Sequence, residues 1–128
     1  MPQDRATAAE LLAGVRAFLR QEALPQLQGA SAYRCRVAAN ILAIVGRELD
    51  QGAAADRAER DGLEHLLGKR AAPELSPEAA LDALNAELCA GIRSGALDGR
   101  RAAVLAHVRE TVRAKLAIAN PAYPALKD

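Results

Sequence analysis

Aromatic side chains are nearly missing from this chain: Phe18, Tyr33 and Tyr123 are the whole set among 128 residues. Sheets draw on aromatic and β-branched residues, so this scarcity argues against a β-rich core. The two cysteines, Cys35 and Cys89, form no CxxC and are too few for a disulfide framework. No apolar run is long enough for a membrane: Val37 to Gly46 is about half a span and contains Asn40. Charge of one sign is missing too. A net charge of +1, with acids and bases interspersed, removes the electrostatic case for nucleic acid or an anionic membrane as main partner. The opening MPQDRATAAELL has no basic stretch followed by an apolar core. The expectation is a cytoplasmic, bacterial-type protein with reduced thiols.

Enzyme signatures are missing as well. The chain contains no glycine-rich phosphate loop, no GxSxG and no HExxH. Its serines, Ser31, Ser76 and Ser94, all fall at expected turns or caps. The reading therefore leans away from an enzyme without excluding one, and assigns no catalytic residue and no cofactor. Cys35, His65, Cys89 and His107 fall one on each of four expected helices, an arrangement zinc sites in bundles do use. Their spacing is not diagnostic, and buried free cysteines behave as small hydrophobes, so no metal site is assigned.

What the chain does have is alanine, 31 residues, and leucine, 18. Both lead the helix-propensity scale, and small side chains let helices pack closely. Arginine outnumbers lysine by 14 to 3. Arginine's planar fork suits carboxylate or phosphate recognition, while a GC-rich genome raises Ala and Arg together without any ligand.

Punctuation and periodicity place five amphipathic helices, over about 8–24, 32–50, 53–67, 77–94 and 99–119, in one domain covering 1–128. Thr7-Ala8-Ala9-Glu10 is a capping box, and Leu24-Pro25 ends the first helix. The second has an apolar arc of Val37, Ile41, Ile44, Val45 and Leu49. Gly52 opens a third, more polar helix whose charges, Asp56 to Asp61, read as a solvated face. Ser76-Pro77-Glu78 starts the fourth, and Asp98 caps the fifth. Short connections make an all-α bundle with antiparallel neighbours the expected fold.

Two polar strips stand out on these helices. His107, Thr111 and Lys115 run down the middle of the last helix's apolar sector, where an unpaired charge would be costly. The structural reading has His107 bonded to a carbonyl, Thr111 bonded within its helix and Lys115 paired with Glu22 or Glu48. One functional reading makes the strip a pocket lining, with Lys115 as anion anchor and His107 as donor or base, and another makes it a surface for a partner protein. Arg36, Asn40 and Arg47 form a second strip that could grip a phosphate or carboxylate, or simply bond neighbouring helix ends.

Asn120-Pro121-Ala122-Tyr123 has the spacing of a phosphotyrosine-domain docking signal. Local physics offers a simpler account. The residue before proline leaves the helical region, so the helix must stop here, and Tyr123 can fold back as a staple.

The stretches DRATAAELLAGVRAFL, RVAANILAIVGREL, DALNAELCAGIRSGALD and VRAKLAIANPAY occur in order along nearly the whole chain. In these the sequence resembles a bacterial family of small helical proteins known only as a domain of unknown function. Members are associated with an aminoglycoside-phosphotransferase-like kinase and an acyl-CoA dehydrogenase. The resemblance implies an accessory role in acyl-CoA or hydroxy-acid metabolism through binding one of those enzymes, and it supplies no catalytic residues. It places Arg36, Asn40 and Lys115 inside the matching stretches. The alternative is a binder of small anions, or a minor enzyme, using the His107/Thr111/Lys115 seam. A homodimer is compatible with either reading.

Overall fold

The computed structural model describes residues 6–124. They form four α-helices and, among the described residues, no strand: α1 Ala8–Phe18, α2 Gly29–Leu67, α3 Pro77–Ser94 and α4 Arg101–Ala119. None of these helices is long and apolar enough to cross a membrane. Contacts gather into two compact units. The first comprises the described residues up to Ala53 together with Ile118–Asn120, and the second Ala54–Ala117 with the described residues from Pro121 onward.

The α1 start is the capping box expected from sequence. Thr7 Oγ1 accepts from the Glu10 N–H at 3.1 Å, and the Glu10 carboxylate accepts from the Thr7 N–H at 2.9 Å. Approaching Pro25 the helix widens into a π-turn over Leu19–Ala23, where the Leu24 N–H reaches back to the Leu19 carbonyl. A short 3-10 turn, Leu24–Gln26, follows. Pro25 has no N–H to continue an α ladder, which accounts for the change of winding.

Gly52 does not begin a new helix. The segments expected as two helices are one continuous α2 of 39 residues. Glycine in a helix interior costs about 1 kcal/mol relative to alanine, a penalty that the Ala53-Ala54-Ala55 run following it readily offsets. The Glu48 side chain lies over Gly52, and a Cβ there would sit 2.5 Å from Glu48 Oε1. Gly52 gives that carboxylate room.

The true stop is Gly68. Its φ of +67° is the left-handed geometry that glycine adopts without strain, and the Lys69 N–H closes onto the Glu64 carbonyl at 3.1 Å. At the start of α3 the Ser76 Oγ accepts from the Ala79 N–H at 3.2 Å, with Pro77 at the first helical position. Asp98 does not cap α4 as the sequence suggests. It opens a 3-10 turn, Asp98–Arg100, that precedes the helix. Arg100 Nη1 donates to the Leu66 carbonyl in the last turn of α2, where a cation meets the negative end of the helix dipole.

The core of the second unit is leucine: Leu63, Leu66, Leu84 and Leu88, with Val104, covered by Leu67, Ala71, Leu81 and Leu97. The buried residues of the first unit include Ala32, Cys35, Ala39 and Ile118. The Cys35 Sγ donates to the Leu19 carbonyl at 3.4 Å, the same oxygen that closes the π-turn. On α2 the small residues at 32, 35 and 39 face inward at i, i+3 and i+7. The large ones expected as its apolar arc do not: Val37, Ile41, Val45 and Leu49 are exposed and Ile44 is half-buried. Small side chains allow close backbone approach, and that contact decides which face is covered.

At the end of α4 the stop expected at Asn120-Pro121 is present, since the helix ends at Ala119. The staple is not. Tyr123 remains exposed.

Candidate functional site

The polar groups with the most developed surroundings lie in the second unit. On α4 the less exposed line is Val104, His107 and Thr111, while Leu105, Val108 and Val112 are exposed. His107 and Thr111 of the polar ridge are therefore half-buried, while Lys115 at its end is exposed. The His107 ring lies directly over Gly62 of α2: a Cβ at position 62 would be 2.7 Å from His107 Nδ1. Glycine at 62 is what lets the imidazole approach.

Lys115 pairs with neither Glu22 nor Glu48. Its ammonium is 3.8 Å from Glu59 Oε1, with the lysine side chain 67% exposed and the glutamate side chain only 11% exposed. The same carboxylate oxygen accepts from Asn85 Nδ2 of α3 at 2.9 Å. Glu59 thus joins groups from α2, α3 and α4. The short, charge-assisted bond to Asn85 is the stronger contact, and the longer, wet pair to Lys115 contributes little.

Glu59 was not apparent as a special residue from its charged neighbours, which suggest a solvated face. One signal points the other way. Glu59 lies four residues before Leu63 and seven before Leu66, on the stripe of α2 that becomes core. Asn85 carries a similar signal, following Leu84 and preceding Leu88 by three.

A second polar node is Glu64. Its carboxylate accepts from the Ala71 N–H at 3.1 Å, which pins the loop after α2, and pairs with Arg60 Nε at 3.1 Å. The backbone bond from Ala71, then the Arg60 bond, hold its carboxyl below the ordinary value of 4.5, against a smaller opposing effect of burial. A folded-state value below the unfolded one means the contribution to stability is present above about pH 4.5 and is lost as pH falls through the lower, folded-state value. The expected result is that Glu64→Gln is less stable than the parent at neutral pH. The gap should close on acidification, read from melting temperatures across pH 3 to 7. A gap independent of pH would rule out the ionic origin. Beside this node lies an open depression of roughly 430 Å³ lined by Asp61, Glu64, His65, Gly68, Lys69 and Arg70, a surface of mixed charge.

The other strip divides. Arg47 Nε donates to the Ile118 carbonyl at 2.6 Å, satisfying an end group of α4 at its negative pole. Arg36 and Asn40 are exposed, and among the described residues no side-chain hydrogen bond or ion pair engages them. The structure thus draws Arg47 to a helix end and leaves the other two in solvent. Cys35 is buried, Cys89 is exposed, and no group of three His, Cys, Asp or Glu side chains gathers among the described residues.

The family described as Domain of unknown function (DUF6285) matches residues 25–123, and the chain belongs to that family. No curated protein and no solved structure matches it.

Proposed function

We propose that this DUF6285 member is a non-catalytic helical accessory module that docks on a kinase of the aminoglycoside-phosphotransferase type. It would serve acyl-CoA or hydroxy-acid metabolism alongside an acyl-CoA dehydrogenase. The observation that carries the reading is α1, a capped helix that buries none of its residues. Leu11, Val15 and Phe18, at i, i+4 and i+7, are 50%, 50% and 54% exposed. That spacing is the anchor pattern by which an amphipathic helix enters an apolar groove on a partner. The resemblance to proteins associated with those two enzymes supports the choice of partner. The polar side chains speak for the same reading: Glu59, Asn85, Glu64 and Arg47 are occupied with holding helices and loops together.

The small-anion alternative rests on His107, Thr111 and Lys115. Of these, His107 is packed over Gly62 and Lys115 faces Glu59. The geometry favours the accessory reading.

Co-expression with the kinase should yield a complex that survives affinity purification. Leu11→Asp and Phe18→Asp should each abolish capture while leaving helical content unchanged by circular dichroism. Clean separation of the parent proteins at micromolar concentration would sink the proposal, as would capture that both variants retain.

A further inference from the structure

The fold leaves a row of large apolar residues of α2 uncovered. Tyr33, Val37, Ile41, Val45 and Leu49 follow one another at steps of four, and are 67%, 40%, 52%, 41% and 54% exposed. Such a row is a packing ridge, and ridges seat in the grooves of a facing helix. The whole row lies within the first unit.

The order of residues along this face is close to a palindrome about Ile41. Val37 and Val45 stand four residues to either side, and Tyr33 and Leu49 eight. Arg34 lies seven residues before Ile41 and Glu48 seven after it. Seven residues are nearly two turns, so Arg34, Ile41 and Glu48 fall almost on one line along the helix, within about 20° per step. At about 1.5 Å per residue, the two charges lie about 10 Å to either side of Ile41. Both are exposed, and among the described residues neither appears in an ion pair.

We infer that α2 forms an antiparallel homodimer with its dyad at Ile41. Two-fold symmetry about that residue sets Arg34 of each chain against Glu48 of the other, and the valines close the apolar seam between them. A parallel pairing would bring Arg34 onto Arg34 and Glu48 onto Glu48, so the charges select the antiparallel arrangement. The seam lies inside the family match, residues 25–123, whereas α1 precedes it. This interface is separate from the α1 surface proposed for the kinase, and each can fail without the other.

Sedimentation equilibrium of the full chain should give twice the mass of one chain. Ile41→Asp places two carboxylates at the dyad and should yield a monomer of unchanged helical content. Arg34→Glu and Glu48→Arg should each weaken association at least roughly tenfold, and the double exchange R34E/E48R should restore it. The restoration separates a charge pair across the dyad from loss of folding. A parent that is monomeric at every concentration overturns the inference. So does a dimer indifferent to Ile41→Asp, or a double exchange no tighter than the single variants.

Discussion

Leu63→Ala should destabilise the protein by about 2–5 kcal/mol, the range for truncating a leucine in a packed core. Leu63 is 0% exposed and Leu84 1%, and these are the two largest fully buried side chains. Leu63 lies in one cluster with Leu66, Leu84, Leu88 and Val104, drawn from α2, α3 and α4. Removing its isobutyl group loses the transfer free energy and leaves a cavity that neighbouring leucines fill only in part. Leu105→Ala is the matched control. Leu105 is 44% exposed, and its truncation should cost less than about 1 kcal/mol. Urea titrations followed by circular dichroism read both values. Hydrogen exchange should show the loss of protection for Leu63→Ala concentrated in α3 and the flanking parts of α2 and α4 within the second unit. Equal costs for the two substitutions would contradict the assignment of the core.

The second large effect is expected at Glu59. Glu59→Ala leaves the Asn85 amide without its acceptor in a place that water reaches poorly, a loss of about 1–3 kcal/mol. Lys115→Ala should change stability by less than about 0.5 kcal/mol, because its ammonium is largely solvated and 3.8 Å from the carboxylate. A double-mutant cycle between Glu59→Ala and Asn85→Ala should return a coupling of about 0.5–3 kcal/mol. If Lys115→Ala proved as costly as Glu59→Ala, with no Glu59–Asn85 coupling, the junction would be ionic and centred on α4. That outcome would also revive the seam as a place where Lys115 matters.

These two predictions concern residues of different legibility. Leu63 and Leu66, and Leu84 and Leu88, recur at steps of three and four, a helical period visible in the residues themselves, although the segment holding Leu63 reads as the more polar helix. Glu59 sits in a segment of alternating charges, Asp56 to Asp61, and its neighbours conceal its position on the Leu63 stripe. Charge type suggests solvent; register suggests core. Register prevails because α3 brings an amide donor, Asn85, to meet the carboxylate.

The same contrast runs through the first unit. Size alone would bury Val37, Ile41 and Leu49 before Ala32, Cys35 and Ala39, yet the small residues are the ones covered. A strip of alanine and cysteine allows backbones to come close, which no large side chain permits. Only a packed neighbour reveals that choice.

Local chemistry was enough for the all-α class, the Thr7 and Ser76 starts, the Gly68 stop and the end of α4 before Pro121, because each depends on residues a few positions apart. Tertiary packing decided the rest. It gave Lys115 and Asn85 a common partner in Glu59 and left the large apolar row of α2 in solvent. Those outcomes depend on which helix faces meet, and a chain's own periodicity marks its faces without saying what they will meet.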